Sequence, residues 1–122
     1  MPYIDGYVLA VPTANKDKFI AHANLGDSVF MDNGATRVIE CWGDEISTGS
    51  LTDFRKAVQA TDDETVVFSW VEWPDKATRD ACMARMADLM KDPRWADNPM
   101  PFDGKRMIYG GFAPVVELPS AS

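Results

Sequence analysis

Glu40 lies between Ile39 and Cys41 in the apolar run TRVIECWG. A carboxylate in such a strand is expensive to bury unless it is paired or reached by water. Two readings follow. Either a guanidinium such as Arg37 or Arg106 neutralises it, or it faces a cavity. In a cavity, burial raises its proton affinity and fits it for general acid or base work. Tyr109, in the stretch MPFDGKRMIYGGF, carries a phenol that could donate a proton or hold a carbonyl oxygen. Asp5, in YIDGY, is a second carboxylate in a strand-like run. Trp42 and Trp70, with Phe68 and Tyr7, offer flat faces on which a planar molecule could stack. Glu40, Tyr109 and Asp5 are thus the candidates for proton transfer. Trp42, Trp70, Phe68 and Tyr7 are the candidates for substrate binding. The plainer readings are a hydrogen-bonded Tyr and aromatic core residues.

Other chemistries find no footing. The chain has one histidine, His22, and two cysteines, Cys41 and Cys82. A zinc site wants three or four ligands at short spacings, so no metal is expected. His22 reads as a surface residue of a helix, and the cysteines read as small buried hydrophobes. Gly104-Lys105 resembles a fragment of a phosphate loop, but the preceding Gly and following Ser or Thr are missing. No cofactor is expected.

The elements that would position these residues are legible from pattern. YIDGYVLAVP (Tyr3 to Pro12) is rich in β-branched and aromatic residues and ends at a proline, so it reads as a strand. Phe19, Ile20, Ala23, Val29 and Phe30 then approximate one helical face, stopped at Asn33-Gly34. Thr36 to Gly43 is a second strand. A polar stretch, residues 44–63, follows as an insert, with a short helix expected over Thr52 to Ala60. Glu64 to Trp73 is the strongest strand, closed by Pro74, which suits the first turn of the next helix. That helix carries Ala81, Cys82, Met86, Leu89 and Met90 on its apolar side and stops at Pro93. A Pro-rich loop leads to a last strand, KRMIYGGF, in which Gly110-Gly111 marks a bulge or the close approach of another backbone. The tail over about 117–122 reads as loose.

The order β-α-β-insert-β-α-β is the ferredoxin-like plan: an α+β domain spanning 1–122, with one antiparallel sheet and two helices on one face. The other face is then bare, and strands of a monomer should alternate apolar and polar. Here they do not. Grouped by bulk, Asp5, Tyr7, Leu9, Val11, Val38, Glu40, Trp42, Val66, Phe68, Trp70, Glu72, Met107, Tyr109 and Gly111 fall on one face. So large an aromatic face would be an exposed patch. Two sheets are therefore expected to meet in a homodimer, with these residues lining the space between them.

Composition narrows the partners. Lys plus Arg is 12 and Asp plus Glu is 19, a formal charge of −7. Such a surface repels phosphate backbones and anionic headgroups, so neither nucleic acid nor membrane is an expected partner. No apolar run approaches the ~20 residues that span a bilayer. No basic, apolar, small-residue series opens the chain, so the expected location is the cytoplasm, with free thiols.

Four separated segments carry a resemblance: MPYIDGYVLAVP, GDE, DETVVFSWVEWPDKATRDA and MPFDGKRMIYGGF. In this order they resemble the YbaA-like family of bacterial proteins of unknown function. The resemblance covers nearly the whole chain and implies a dimeric α/β barrel. The wider superfamily contains metal-free monooxygenases and isomerases. By that analogy of fold, the expected function is a small cofactor-independent monooxygenase or isomerase acting on a planar small molecule. The alternative is a non-catalytic dimeric module that binds a small molecule or a protein through residues 44–63.

Overall fold

A computed structural model describes residues 1–120; the last two residues of the expected loose tail lie outside the described residues. The elements are β1 (Tyr3–Pro12), α1 (Lys16–Asp32), β2 (Arg37–Trp42), α2 (Phe54–Ala57), β3 (Glu64–Trp73), α3 (Lys76–Ala84), α4 (Met86–Leu89), α5 (Pro93–Ala96) and β4 (Ile108–Phe112). The four strands form one antiparallel sheet in the order β2-β3-β1-β4. This is the ferredoxin-like arrangement.

Local chemistry sets the boundaries. The Asp53 and Asp75 carboxylates accept the backbone N–H of Lys56 and Thr78, each at 2.7 Å, and so cap α2 and α3. Pro74 sits one residue before the Asp75 cap, outside the helix. The long second helix expected from the sequence breaks at Arg85 into α3 and α4. Pro93 is not a stop but an opening: Asp92 accepts the Arg94 N–H, and proline occupies the first turn of α5. Gly34 follows α1 at φ +105°, a left-handed conformation that glycine adopts freely.

Register corrects the expected grouping of faces. Glu40 lies opposite Ser69, and Trp42 opposite Val67. Tyr7 lies opposite Ser69 and Tyr109, and Asp5 opposite Val71 and Gly111. Directly opposed residues share a face. Asp5, Tyr7, Leu9, Val11, Val38, Glu40, Trp42, Tyr109 and Gly111 therefore share the helix-covered face with Val67, Ser69, Val71 and Trp73. Phe68, Trp70, Val66 and Glu72 point the other way. Alternation within a strand tells which residues share a side; it does not tell which side meets the helices.

The covered face forms two apolar clusters. In one, Leu9, Val11 and Val67 pack with Phe19 and Ala23 of α1. In the other, Val71 and Trp73 pack with Val29, Cys82 and Leu89. The bare face is not wholly bare. Val58, just past α2, is 1% exposed and packs on Ala10 and Val66, so the insert covers one end of this face. The remainder is open, and there Phe68 is 45%, Ile108 47% and Phe112 60% exposed.

The Gly110-Gly111 pair makes no bulge; the β1–β4 ladder runs through it without interruption. The close neighbours come from within the chain. A Cβ on Gly111 would collide with the ring and hydroxyl of Tyr3, whereas Gly6 and Gly110 lie under the edge of the Phe112 ring. Tyr3 is itself held beneath the Arg79 guanidinium, 5.3 Å from its ring centre. Gly111→Ala is accordingly expected to cost about 1–3 kcal/mol. Urea denaturation checks this, with Gly110→Ala, whose nearest contact is an ordinary 3.6 Å, as the milder control.

Candidate functional site

The helix-covered face opens toward solvent between α1 and the edge strand β2. A cleft of about 640 Å³ lies there, lined by Lys16, Phe19, Ile20, Ala23, Asn24, Asp27 and Met31 of α1 and by Val38, Glu40 and Trp42 of β2, among others. The α1 residues recur at three- and four-residue steps, so one helical stripe faces the strand. Phe19 and Ala23 anchor that stripe in the core. The same periodicity brings Asp27, one turn beyond Ala23, down onto Glu40.

Asp27 and Glu40 form a carboxyl pair. The Asp27 carboxyl hydrogen-bonds that of Glu40, and its proton affinity is pushed well above the ordinary carboxylate range. Burial is the largest cause, followed by the hydrogen bond and then the charge of Glu40. Two carboxylates this close do not both ionise readily, so they share a proton. Glu40 makes no ion pair among the described residues. Arg106, one expected partner, is taken by Glu64 through two bonds of 2.6 Å. That engagement holds the Glu64 carboxyl down at about 2.

Trp42 lies two residues beyond Glu40 on the same face. Its ring packs against Phe19 at 6.1 Å, and the Lys16 ammonium sits 5.5 Å from the ring centre. In the other direction a polar row crosses the sheet: Glu40, Ser69, Tyr7, Tyr109. Three inter-strand steps put its ends about 14 Å apart. Tyr7 is stacked on Tyr109, with ring centres 6.1 Å apart. Burial first, then the negative charges of Asp5, Asp27 and Glu40, raise the affinity of the Tyr7 phenol for its proton; Arg79 acts in the opposite sense. Tyr7 is therefore a protonated donor at neutral pH.

The structure thus places Glu40 and Trp42 in one cleft and disperses the rest; Tyr7 stands two strands from Glu40 and lines the groove that also holds Phe68, Trp70 and Tyr109. Tyr109 is 74% exposed at the far edge of the sheet. Asp5 is buried and engaged: Trp73 Nε1 donates to it at 2.9 Å, and Arg79 donates through Nη2 at 3.0 Å and Nε at 3.2 Å. Phe68 and Trp70 line a different feature, an apolar groove of about 710 Å³ on the bare face with Ile4, Val8, Ile108 and Phe112. His22 is half-buried and clasped to the loop after α5, its Nδ1 2.9 Å from Asn98 Oδ1. No group of three or more metal-ligating side chains occurs among the described residues. No helix among them is long and apolar enough to cross a membrane. Asp27 is the residue that sequence reasoning missed. Its signal was an acid on the apolar stripe that runs from Phe19 through Ala23.

Comparison with known proteins fits this architecture. Residues 2–104 match the family model described as "Protein of unknown function (DUF1428)". The "Uncharacterized protein YbaA" of Escherichia coli (strain K12) is 47% identical over 119 residues, covering 96% of this chain and 99% of that relative. The protein of the same name from Shigella flexneri matches to the same extent, 47% over 119 residues. Among solved structures, the chain is similar to a variant of SnoaB, a cofactor-independent oxygenase from Streptomyces nogalater. That likeness has a TM-score of 0.51 and 13% identity, over 98% of each chain. It is also similar to a dimeric ferredoxin-like protein from an uncultured marine organism, with a TM-score of 0.56 and 12% identity over 97% of this chain and 100% of that one. The fold is common to all of these, and by its sequence the chain belongs to the DUF1428 family.

Proposed function

We propose that the chain is a small enzyme that needs no cofactor, an isomerase or monooxygenase that moves a proton on a planar small molecule in the cleft between α1 and β2. The observation that carries this reading is the Asp27–Glu40 pair beside Trp42. The substrate stacks on Trp42. Glu40, the more exposed acid, takes the proton. Asp27 keeps the shared proton and donates a hydrogen bond to the anion that forms. Asp5 serves as the anchor of Arg79, and Tyr109 backs Tyr7. SnoaB is a cofactor-independent oxygenase on the same fold, which supports the scaffold's suitability and no more.

In the same proposal the enzyme is a cytoplasmic homodimer of one-domain protomers whose bare sheet faces meet to close an α/β barrel. The apolar groove around Phe68 and Trp70 is the support. Two copies that each carry −7 repel one another, and this uncharged groove is where they can approach. Phe68 and Trp70 then belong to the interface rather than to the substrate site.

The test is hydrogen–deuterium exchange at carbon, followed by NMR, on a panel of enolisable planar ketones and phenols in heavy water. Wild-type protein should accelerate exchange on at least one of them. Glu40→Gln should slow that exchange by about 100-fold. Exchange no faster than buffer across the panel, or equal in the two proteins, overturns the reading.

A further inference from the structure

Lys16 opens α1 at one end of the cleft, with its ammonium 5.5 Å from the centre of the Trp42 ring. It is exposed and makes no ion pair among the described residues. The carboxyl pair of Asp27 and Glu40 lies toward the other end. About three turns of α1, or about 16 Å of rise, separate Lys16 from Asp27. Along β2, two residues, about 7 Å, separate Trp42 from Glu40. Arg37 also borders the cleft, but it lies opposite Glu72 and so falls on the other face of β2 from Glu40. The cleft thus has an unpaired positive end and an acidic end, with Phe19, Ile20 and Ala23 between them.

We propose that the substrate is a planar carboxylate, with its anionic end on Lys16 and its reacting C–H at Asp27 and Glu40. This rests on the proton transfer proposed above and names the class of molecule that undergoes it. Electrostatics selects one orientation, because an anion is drawn to the ammonium and repelled by the acid pair. A chain that carries −7 repels anions in bulk, so an anionic ligand needs a local positive charge to enter. One ammonium matches one carboxylate, whereas the second charge of a phosphate goes uncompensated beside Glu40. A cationic ligand meets the reverse obstacle: its place on the Trp42 ring is held by Lys16. That contact is weak at an exposed site. A molecule that stacks on Trp42 takes the ammonium's place, and the flexible lysine stem lets the charge follow to the edge of the bound ring.

The probes are 6-acetyl-2-naphthoate, its neutral methyl ester and the matching trimethylammonium cation, which share one planar, enolisable core. Titration calorimetry measures their binding to full-length wild type, Lys16→Met, Lys16→Arg and Lys16→Glu. Methionine keeps an unbranched stem on Trp42 and removes the charge, and Lys16 is exposed, so the fold is preserved. Wild type should bind the naphthoate about 10-fold more tightly than the ester. Lys16→Met should erase that preference, Lys16→Arg should retain it, and Lys16→Glu should turn it toward the cation. Equal binding of acid and ester by wild type overturns the proposal. So does a preference that survives in Lys16→Met, or the failure of every probe to bind at millimolar concentration. Carbon exchange of the same probes in heavy water reads the chemistry separately. Accelerated exchange of the ester without a Lys16-dependent preference for the acid overturns the anion seat and leaves the proton transfer standing. Lys16-dependent binding of the acid with exchange no faster than buffer supports the anion seat and overturns the proton transfer.

Discussion

Arg79→Ala is expected to destabilise the fold by about 3–5 kcal/mol, because it strands a charge. Asp5 sits in the middle of the sheet with its side chain 5% exposed, and Arg79 reaches it from α3. Three hydrogen-bond contacts from Nε and Nη2 join guanidinium to carboxylate, and only the Trp73 indole remains if they go. Taking the pair out of water already consumes most of its Coulomb attraction, so the pair is worth less than its removal costs. That asymmetry gives the prediction a second arm. Asp5→Asn with Arg79→Met should recover a substantial part of the loss, since neither member then carries a charge. Urea unfolding of the wild type, Asp5→Asn, Arg79→Met and the double variant measures the coupling directly. A loss below about 1 kcal/mol for Arg79→Ala would mean that water reaches Asp5 in the folded state.

Asp27→Asn should make the protein more stable at neutral pH, and increasingly so as pH rises. The folded-state value for Asp27 is raised from 3.8 to about 9. Across that window the folded chain holds a proton that the unfolded chain has released. Stability therefore falls as pH rises from about 4 toward 9. Asparagine does not titrate, and its amide can still donate to Glu40, so the variant escapes the fall. The cleft is open on one side, and solvent screening there reduces the effect to about 2–3 kcal/mol at the alkaline end. Below pH 4 the two proteins should converge. Thermal melts at unit pH intervals supply the curve. Parallel curves for wild type and Asp27→Asn would refute the shared proton. Glu40→Gln, which removes the second acid but not the burial, should flatten the curve only in part.

Much of this architecture was legible in the residues. Tyr3–Pro12 and Glu64–Trp73 have the bounds that their β-branched runs and terminal prolines indicate. The ferredoxin-like order follows from the sequence of elements alone. The pairing of faces was not legible. Grouping by bulk placed Phe68 and Trp70 with Glu40 and Tyr7, whereas the register sets Glu40 beside Ser69. A slip of one residue reverses a strand's faces, and only hydrogen bonding between distant segments fixes it. Burial of Asp5 was equally hidden, because its neutralising partner lies on α3. The carboxyl pair was half visible: Glu40 stood out against its apolar neighbours, but Asp27 looked like an ordinary polar residue of a surface helix until β2 was seen beside it. Pro93 shows a different failure. A proline after a helix also opens the next one when an aspartate precedes it.

The position of β1 bears on how the chain is made. β1 comes before the other three strands of the sheet in the chain, yet it is an interior strand, flanked by β3 and β4. Its hydrogen-bonding groups find a partner on one side only when residues Glu64–Trp73 have emerged, and on the other only with Ile108–Phe112. All of residues 3–112 must therefore be synthesised before the sheet can close. Throughout that interval the segment Val8-Leu9-Ala10-Val11 has two unpaired edges and no core. It is the stretch that a chaperone would have to shield on the nascent chain.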